Sequence, residues 1–330
     1  MSRTTSSSLW IPRTVILLLL GTGIFSPSLF QSPLDIIYDA LFHSKIYQSS
    51  TFETFWTVLN YGFAETYYVL NYFLHPYSRL AVINGTSKEA VEDPSRPPKP
   101  PHGMPRPQHR LPDAITYVAP LLLLDFTMIK KFAGVPVSDI AASGNYNIPV
   151  GTNFLRPTLH NFTLQSPLQT RRALPPLPPI SRRLILELVI SFIIYDFVFF
   201  LFHLSLHKLP IPFIRHLHAQ HHSHAEIHPQ ITNKLDIVER MGLVLLANFS
   251  LNIIGAHVLT RTVFVTVFTA LLVEIHSGLD LDWGYDKILP AGWGTGARKH
   301  AEHHRDGVGN FAPFFRWWDG LLEMTTDRPK

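Results

Sequence analysis

Cysteine is absent from the 330-residue chain. That excludes disulfides, iron–sulfur clusters, thiolate zinc sites and thiolate haem, and it removes a covalent cysteine nucleophile. Any metal centre here is built from nitrogen and oxygen ligands. Charge is scarce as well: Asp, Glu, Lys and Arg make up 16% of the residues, against about a quarter in a soluble domain. Hydrophobic residues reach 46% and the mean hydropathy is +0.12, a balance that leans toward a membrane. The formal net charge is only +4, carried by scattered Lys and Arg, so nothing resembles a nucleic-acid footprint and no nucleic-acid partner is expected.

Histidine is what the chain has in excess. Eight of its 18 histidines fall between residues 203 and 228. They include the pair His203 and His207 and the triple His218, His221 and His222. A second triple, His300, His303 and His304, lies near the C-terminus. The intervals are helical, i,i+4 in the first box and i,i+3,i+4 in the other two. On a helix each box turns its imidazoles to one side. Imidazole suits iron, zinc and copper, so the three boxes together point to a nitrogen-rich metal centre. Two-residue spacing sets His216 off the face of His218, and His224 and His228 read as surplus surface residues. His276 ends an apolar run, as His203 does, and can close the same site.

Nine imidazoles are too many for one ion, and two metals with positions open for oxygen fit them better. A mononuclear zinc site needs three protein ligands and a water, and no HExxH motif is present. A pair of irons can activate O₂ and attack an unactivated C–H bond, which side chains alone cannot do. Two rival readings remain at this level, a membrane zinc hydrolase of lipids and a histidine-rich metal transporter. Transporters place ligands near mid-membrane between discontinuous helices, whereas these boxes cluster at helix ends.

The expected fold is an all-α integral membrane protein, a transmembrane helix bundle with the histidine-lined di-metal site in a helical cap at the membrane surface. Residues 184–206 are the clearest span, interrupted by Glu187 and Asp196. These acids read equally well as orienters of the site or as helix–helix glue. Residues 14–25 read as an uncleaved anchor or membrane-dipping segment, and 52–74 as a further membrane helix carrying Glu53 and Glu65. The apolar runs 241–259 and 262–275, parted only by Thr260 and Arg261, read as a helical hairpin. Pro-rich loops are expected at 86–113, which holds eight prolines, and at 149–180. The expected division is an N-terminal membrane-associated region 1–183, a catalytic domain 184–324 and a tail 325–330. Lys130, Lys131, Arg171, Arg172, Arg182 and Arg183 flank the loop before 184–206 and would put that loop in the cytoplasm. A single crossing would then carry the boxes to the other side, so the topology stays open. Asn84, Asn161 and Asn248 head glycosylation sequons, the last inside an apolar run and not expected to be used.

The order HxxxH, HxxHH, a lone His before Ser-Gly, then HxxHH resembles the fatty acid hydroxylase/sterol desaturase superfamily of membrane di-iron enzymes over about residues 184–324. The tail Asn310-Phe-Ala-Pro313-Phe-Phe-Arg-Trp317-Trp318-Asp319-Gly320 is similar to the family's closing segment. The motifs EIHSG and NFAPFF and the Trp293 region look most like cholesterol side-chain hydroxylases. The resemblance implies metal ligands at His203, His207, His218, His221, His222, His276, His300, His303 and His304. Ring desaturases and methyl oxidases usually have a further His where this chain has Asp236. Asp236 then supplies a carboxylate ligand or pairs with Lys234 or Arg240, and Asn233 is a candidate for holding a metal-bound water. The resemblance also implies two Fe ions, O₂, and electrons from NAD(P)H through cytochrome b5 or a reductase. The implied product is a hydroxylated or desaturated lipid, a sterol or terpenoid-like molecule. The expected location is the endoplasmic reticulum membrane, with the active site facing the cytoplasm.

Overall fold

The computed structural model describes residues 9–83, 104, 111–127, 132–144, 168–219, 221–223 and 227–325. Most of the expected loop 86–113, residues 149–167 of the second loop, Asn84, Asn161, Lys130, Lys131, His224 and tail residues 326–330 lie outside them. Among the described residues the regular structure is helical, with isolated antiparallel bridges tying Ser49 to Arg171, Arg79 to Leu279 and Gly294 to Phe315.

The chain opens with α1 (Trp10–Phe25) and α2 (Ser28–Phe42), bent by 89° at Ser26-Pro27. Proline tolerates a helix start but cannot continue the helix before it. The pair is apolar enough to count together as a broken span or a re-entrant segment. Gly23 lets α1 lie close on Ile185, and Ser181 Oγ donates to its carbonyl at 2.7 Å. Helix α3 (Phe52–Leu74) has 23 residues but is not among the helices apolar enough to cross a membrane. Helices α4 (Leu111–Thr127) and α5 (Val137–Gly144) follow.

Helix α6 (Ser181–Lys208) is the principal span. Its 28 residues contain neither glycine nor proline, and at 1.5 Å per residue they extend about 42 Å. The hydrocarbon core is about 30 Å thick, so the helix is longer than a crossing needs, and His203 and His207 lie in its last turns. A short α7 (Pro212–Ala219) leads to α8 (Ile237–Ile253), the second candidate span α9 (Val258–Ile275), α10 (Gly296–Asp306) and α11 (Trp317–Thr325).

The hairpin turn is not at Thr260-Arg261, where the sequence suggests it. Those residues sit inside the first turn of α9, and the chain reverses at Ile254–His257, where Gly255 adopts φ +61° and the His257 side chain accepts from Leu259 N. Charge inside an apolar run reads as a boundary because burying it unpaired is costly. Here partners on other helices remove that cost. Glu187 Oε2 accepts from Thr260 Oγ1 at 2.7 Å and from His257 N at 2.9 Å. Arg261 donates to Glu53 and to the side-chain oxygens of Asn248 and Asn252. Glu187 therefore joins α6 to the start of α9. Asn248 is likewise engaged within α8.

Packing crosses residue 183. Helix α9 runs along α3 as well as α6. Tyr61, Tyr68 and Tyr72 of α3 form one core with Val273, Leu279 and Leu281. Phe192 and Tyr195 of α6 meet Phe264 and Phe314 in another. Replacing Glu187 with Ala leaves a buried backbone N–H without its acceptor, a loss of about 1–3 kcal/mol. Glu187→Gln should cost much less, because its amide oxygen can still accept from His257. Thermal unfolding of the purified protein in detergent checks the order, and equal melting temperatures for the two variants would refute this role.

Candidate metal centre

Adjacent residues on a helix point about 100° apart, and this spacing sorts the histidines. On α10, His300 and His304 turn to one side and His303 to another. All three are buried. The second box departs from its expected single helix. Helix α7 ends at Ala219, and His221–Ser223 form a separate 3₁₀ turn. The break again sends neighbours apart, His222 toward His218 and His221 away. The boxes therefore do not correspond to one ion each.

Two groups result. The first draws together His203, His207, His218, His222 and His303; the second, His221, His276, His300 and His304. Within each group the candidate ligand atoms lie within 4.8 Å of one another. In the first, Nε2 of His218 is 3.1 Å from that of His203 and 2.9 Å from those of His207 and His222, and His303 approaches His203 at 3.1 Å. In the second, His300 Nε2 is 3.0 Å from His276 and 3.1 Å from His304, with His221 at 3.4 Å from His276. The groups adjoin where the rings of His222 and His304 stack at 4.6 Å.

The other ring nitrogen shows what these contacts are. A carbonyl or ionised carboxylate only accepts, so an Nδ1 facing one carries the proton, and Nε2 of a neutral ring is then a bare lone pair. His203 Nδ1 donates to Phe311 O at 2.8 Å, His303 Nδ1 to Gly309 O at 2.7 Å and His222 Nδ1 to His304 O at 3.2 Å. His218 Nδ1 donates to Glu239 Oε1 at 2.9 Å. Four lone pairs thus converge with no proton between them, an arrangement that repels unless a cation lies among them. Two nitrogens bound to one cation by bonds of about 2.1 Å at right angles lie about 3.0 Å apart. The donor set fits a metal ion.

The second group is fixed less completely. His276 Nδ1 donates to Leu272 O at 2.8 Å and His221 Nδ1 to Lys234 O at 3.4 Å. Nδ1 of His300 and of His304 is buried without a hydrogen-bond partner. All four rings here are buried, whereas His207 and His222 of the first group are partly exposed. Those two border an opening of about 400 Å³ that also touches Arg305 and Gly307. Burial holds His221, His300 and His304 well below the usual imidazole pKa. It brings His222 and His276 down to about 4 and His303 to about 3. Repulsion from neighbouring imidazoles pushes the same way. At neutral pH these six rings are uncharged donors.

The carbonyls that fix His203 and His303 belong to the segment after α10. Asp196 of α6 accepts from Phe314 N at 2.7 Å and from Phe315 N. Asp319 accepts from Phe311 N and Ala312 N at 2.8 and 2.9 Å. Asp196 is thus an anchor for the loop that orients the histidines. Glu239 is the functional residue that the sequence reading missed. Its signal was available, an acid in the first turn of an apolar helix. Asp236 and Asn233 join neither group. Asp236 caps α8 by accepting from Val238 N at 2.8 Å, and the Asn233 carbonyl accepts from Arg240. His216 is exposed, and His228 is buried outside both groups.

A fatty acid hydroxylase family model matches residues 188–324. Over 136 residues the chain is 32% identical to human cholesterol 25-hydroxylase, covering 41% of this chain and 50% of that protein. The rat cholesterol 25-hydroxylase is 32% identical over 149 residues, 45% of this chain and 50% of the relative. A methylsterol monooxygenase of Aspergillus fumigatus is 32% identical over 152 residues, 44% of this chain and 48% of the relative. The chain spans about half the length of these curated relatives. No solved structure matches it.

Two outcomes follow from this geometry. Glu239→Ala should weaken metal binding about 10- to 100-fold, and Glu239→Gln, which keeps an acceptor for His218, should weaken it less; metal retention during dialysis against a chelator measures both. The depressed histidine pKa values give a pH dependence of defined sign. Below about 6.5, the unfolded value, the unfolded chain takes up protons that the folded one refuses. Stability is therefore fully present above that pH and lost as pH falls toward about 4 for His222 and His276 and about 3 for His303. Melting temperatures of the metal-stripped protein at pH 8, 6.5 and 5 should fall in that order, with the larger drop between the last two.

Proposed function

We propose that this protein is a membrane-bound di-iron oxygenase of the fatty acid hydroxylase/sterol desaturase superfamily, a reading supported by the fatty acid hydroxylase match over residues 188–324. It uses O₂ to hydroxylate or desaturate a lipid, a sterol or terpenoid-like molecule. The observation that carries the reading is the pair of adjoining groups whose facing nitrogens include lone pairs with no proton between them. In this reading His203, His207, His218, His222 and His303 hold one ion, and His221, His276, His300 and His304 hold the other. Iron bound there supplies the capacity to reduce O₂ and to remove hydrogen from an unactivated carbon. In hydroxylation one oxygen atom enters the C–H bond and the other leaves as water, with two electrons and two protons taken from a donor.

The chain's own residues have the remaining tasks. Glu239 and the carbonyls of Phe311, Gly309 and Leu272 keep the proton on Nδ1 and so keep Nε2 free. Asp196 and Asp319 hold the closing segment so that two of those carbonyls stay in place. The apolar side chains of α8 and α9 keep water from the reacting carbon. We assign the opening beside His207, His222 and Arg305 to the aqueous side. Electrons from NAD(P)H, delivered by cytochrome b5 or a reductase, would arrive there. We place the protein in the endoplasmic reticulum membrane with this opening toward the cytoplasm.

Metal analysis of the purified protein should give about two irons per chain. Zinc, together with turnover that does not need O₂, would overturn the proposal in favour of a hydrolase. His221→Ala and His303→Ala each remove one nitrogen from a different group, and each should abolish lipid oxidation while leaving membrane insertion intact. Lipid profiles of cells with and without the protein, at controlled O₂, should show a new hydroxyl group or double bond.

A further inference from the structure

The two histidine groups are held in different ways. In the first, acceptors on Nδ1 orient His203, His218, His222 and His303. In the second, Nδ1 of His300 and of His304 is buried without such a partner. With no acceptor to turn these two rings, their placement rests on α10, which carries both. It rests equally on whatever sets α10 against His276 at the end of α9. His300 stands four residues after Gly296, the first residue of α10, which is about 6 Å at 1.5 Å per residue. A shift of the helix start is therefore passed on to both rings.

That start is not capped from within. The leading N–H groups of a helix have no partner inside it, and a Thr at the preceding position commonly accepts from one of them. Thr295 does not, and its hydroxyl donates instead to Ala312 O at 3.3 Å. The Gly296 N–H goes to the phenol oxygen of Tyr285, at 3.0 Å. The phenol's own proton is donated to Phe314 O at 3.2 Å. The Tyr285 amide donates to Glu274 Oε1 at 2.7 Å, two residues before His276. One residue thus ties the end of α9 to the start of α10. The fit is close: Gly296 has φ +65°, and a Cβ there would meet the Asp286 carboxyl carbon at 2.5 Å. A second tie lies on the other side of His276. Asp280, four residues after it, is buried and accepts from Arg298 at 2.6 Å and from Lys287 at 2.8 Å.

We propose that Tyr285 is a positioning residue of the second histidine group. Its phenol, together with the Asp280–Arg298 pair, sets α10 so that His300 and His304 meet His276 and His221. This role rests on the ligand assignment above, and on neither the identity of the metal nor the reaction. The first group depends on the phenol less. Its closing segment is also held by Asp196 through Phe314 N, and by Asp319 through Phe311 N and Ala312 N.

The test measures Co²⁺ binding by the full chain in lipid nanodiscs, without turnover. Replacing His203 and His218 together with Ala leaves the second group as the intact site, and replacing His276 and His300 together leaves the first. Tyr285→Phe keeps the ring and loses the hydroxyl. It should weaken Co²⁺ binding about tenfold or more where the second group is intact, and leave the affinity close to unchanged where the first is. Hydrogen exchange of the otherwise unmodified, metal-free chain needs no such background. Tyr285→Phe, and Arg298→Ala at a partly exposed side chain, should each speed exchange at the start of α10 and leave peptides containing His203 and His207 unchanged. Equal weakening of the two groups, unchanged binding by the second, or faster exchange throughout would overturn the proposal. An unmodified chain that bound no Co²⁺ would overturn the ligand assignment along with it. Native zinc with turnover that does not need O₂ would sink the oxygenase reading alone.

Discussion

What the centre can do turns on which nitrogen of each imidazole holds its proton. A ring with the proton on Nδ1 offers Nε2 to a cation, and a ring with the opposite tautomer offers nothing from that atom. In the first group four acceptors fix the choice, and none of them lies beside its histidine in sequence. Phe311 and Gly309 come from the segment after α10, Glu239 from the start of α8, and the His304 carbonyl from α10 itself. Those acceptors are positioned in their turn. Asp196 and Asp319 are buried acids whose desolvation would be costly alone, yet each takes backbone N–H groups of the closing segment. Position passes from buried acid to loop, from loop to imidazole, and from imidazole to the cavity that a metal would fill.

Local pattern carried the parts that depend on local geometry. The apolar run ending at His203 is a helix of 28 residues, and the i,i+3,i+4 spacing of His300, His303 and His304 lies on one helix as its period requires. The nine histidines named from the sequence are the nine that the structure brings together. How they divide was not legible, because the consecutive pairs His221–His222 and His303–His304 serve different groups. The box spacing also hid the end of α7 at Ala219. Thr260 and Arg261 look like a turn to any reading that cannot see Glu187 and Glu53 across the bundle, and Gly255 was the truer signal. Glu239 escaped for the same reason: its partner His218 is 21 residues away in sequence. Asp236 drew attention by its position in the motif, whereas its carboxylate is occupied as a helix cap.

The N-terminal helices enter this scheme through packing. Glu53, Thr57 and Tyr61 of α3 wall the same cavity as Phe264, Phe268 and Leu272 of α9. Tyr68 donates to Glu274 at 2.8 Å, at the penultimate residue of the helix that leads into His276. Residues for which the motifs offered no role thus supply one side of the chamber. This is the ordinary reach of a membrane bundle, in which helices distant in sequence satisfy one another's polar groups because lipid cannot.

The unbroken length of α6 has a further consequence. A rod that crosses a bilayer and carries imidazoles in its last turns acts as a depth gauge. The altitude of the centre above the membrane midplane is then set by covalent rise per residue, with no loop to adjust it. On the proposed reading, a lipid need not leave the membrane to be reached; it need only place the right carbon at that altitude. Bilayer thickness thereby becomes a variable of selectivity, since a thicker or thinner leaflet would offer a different stretch of the same molecule to a centre that cannot follow it.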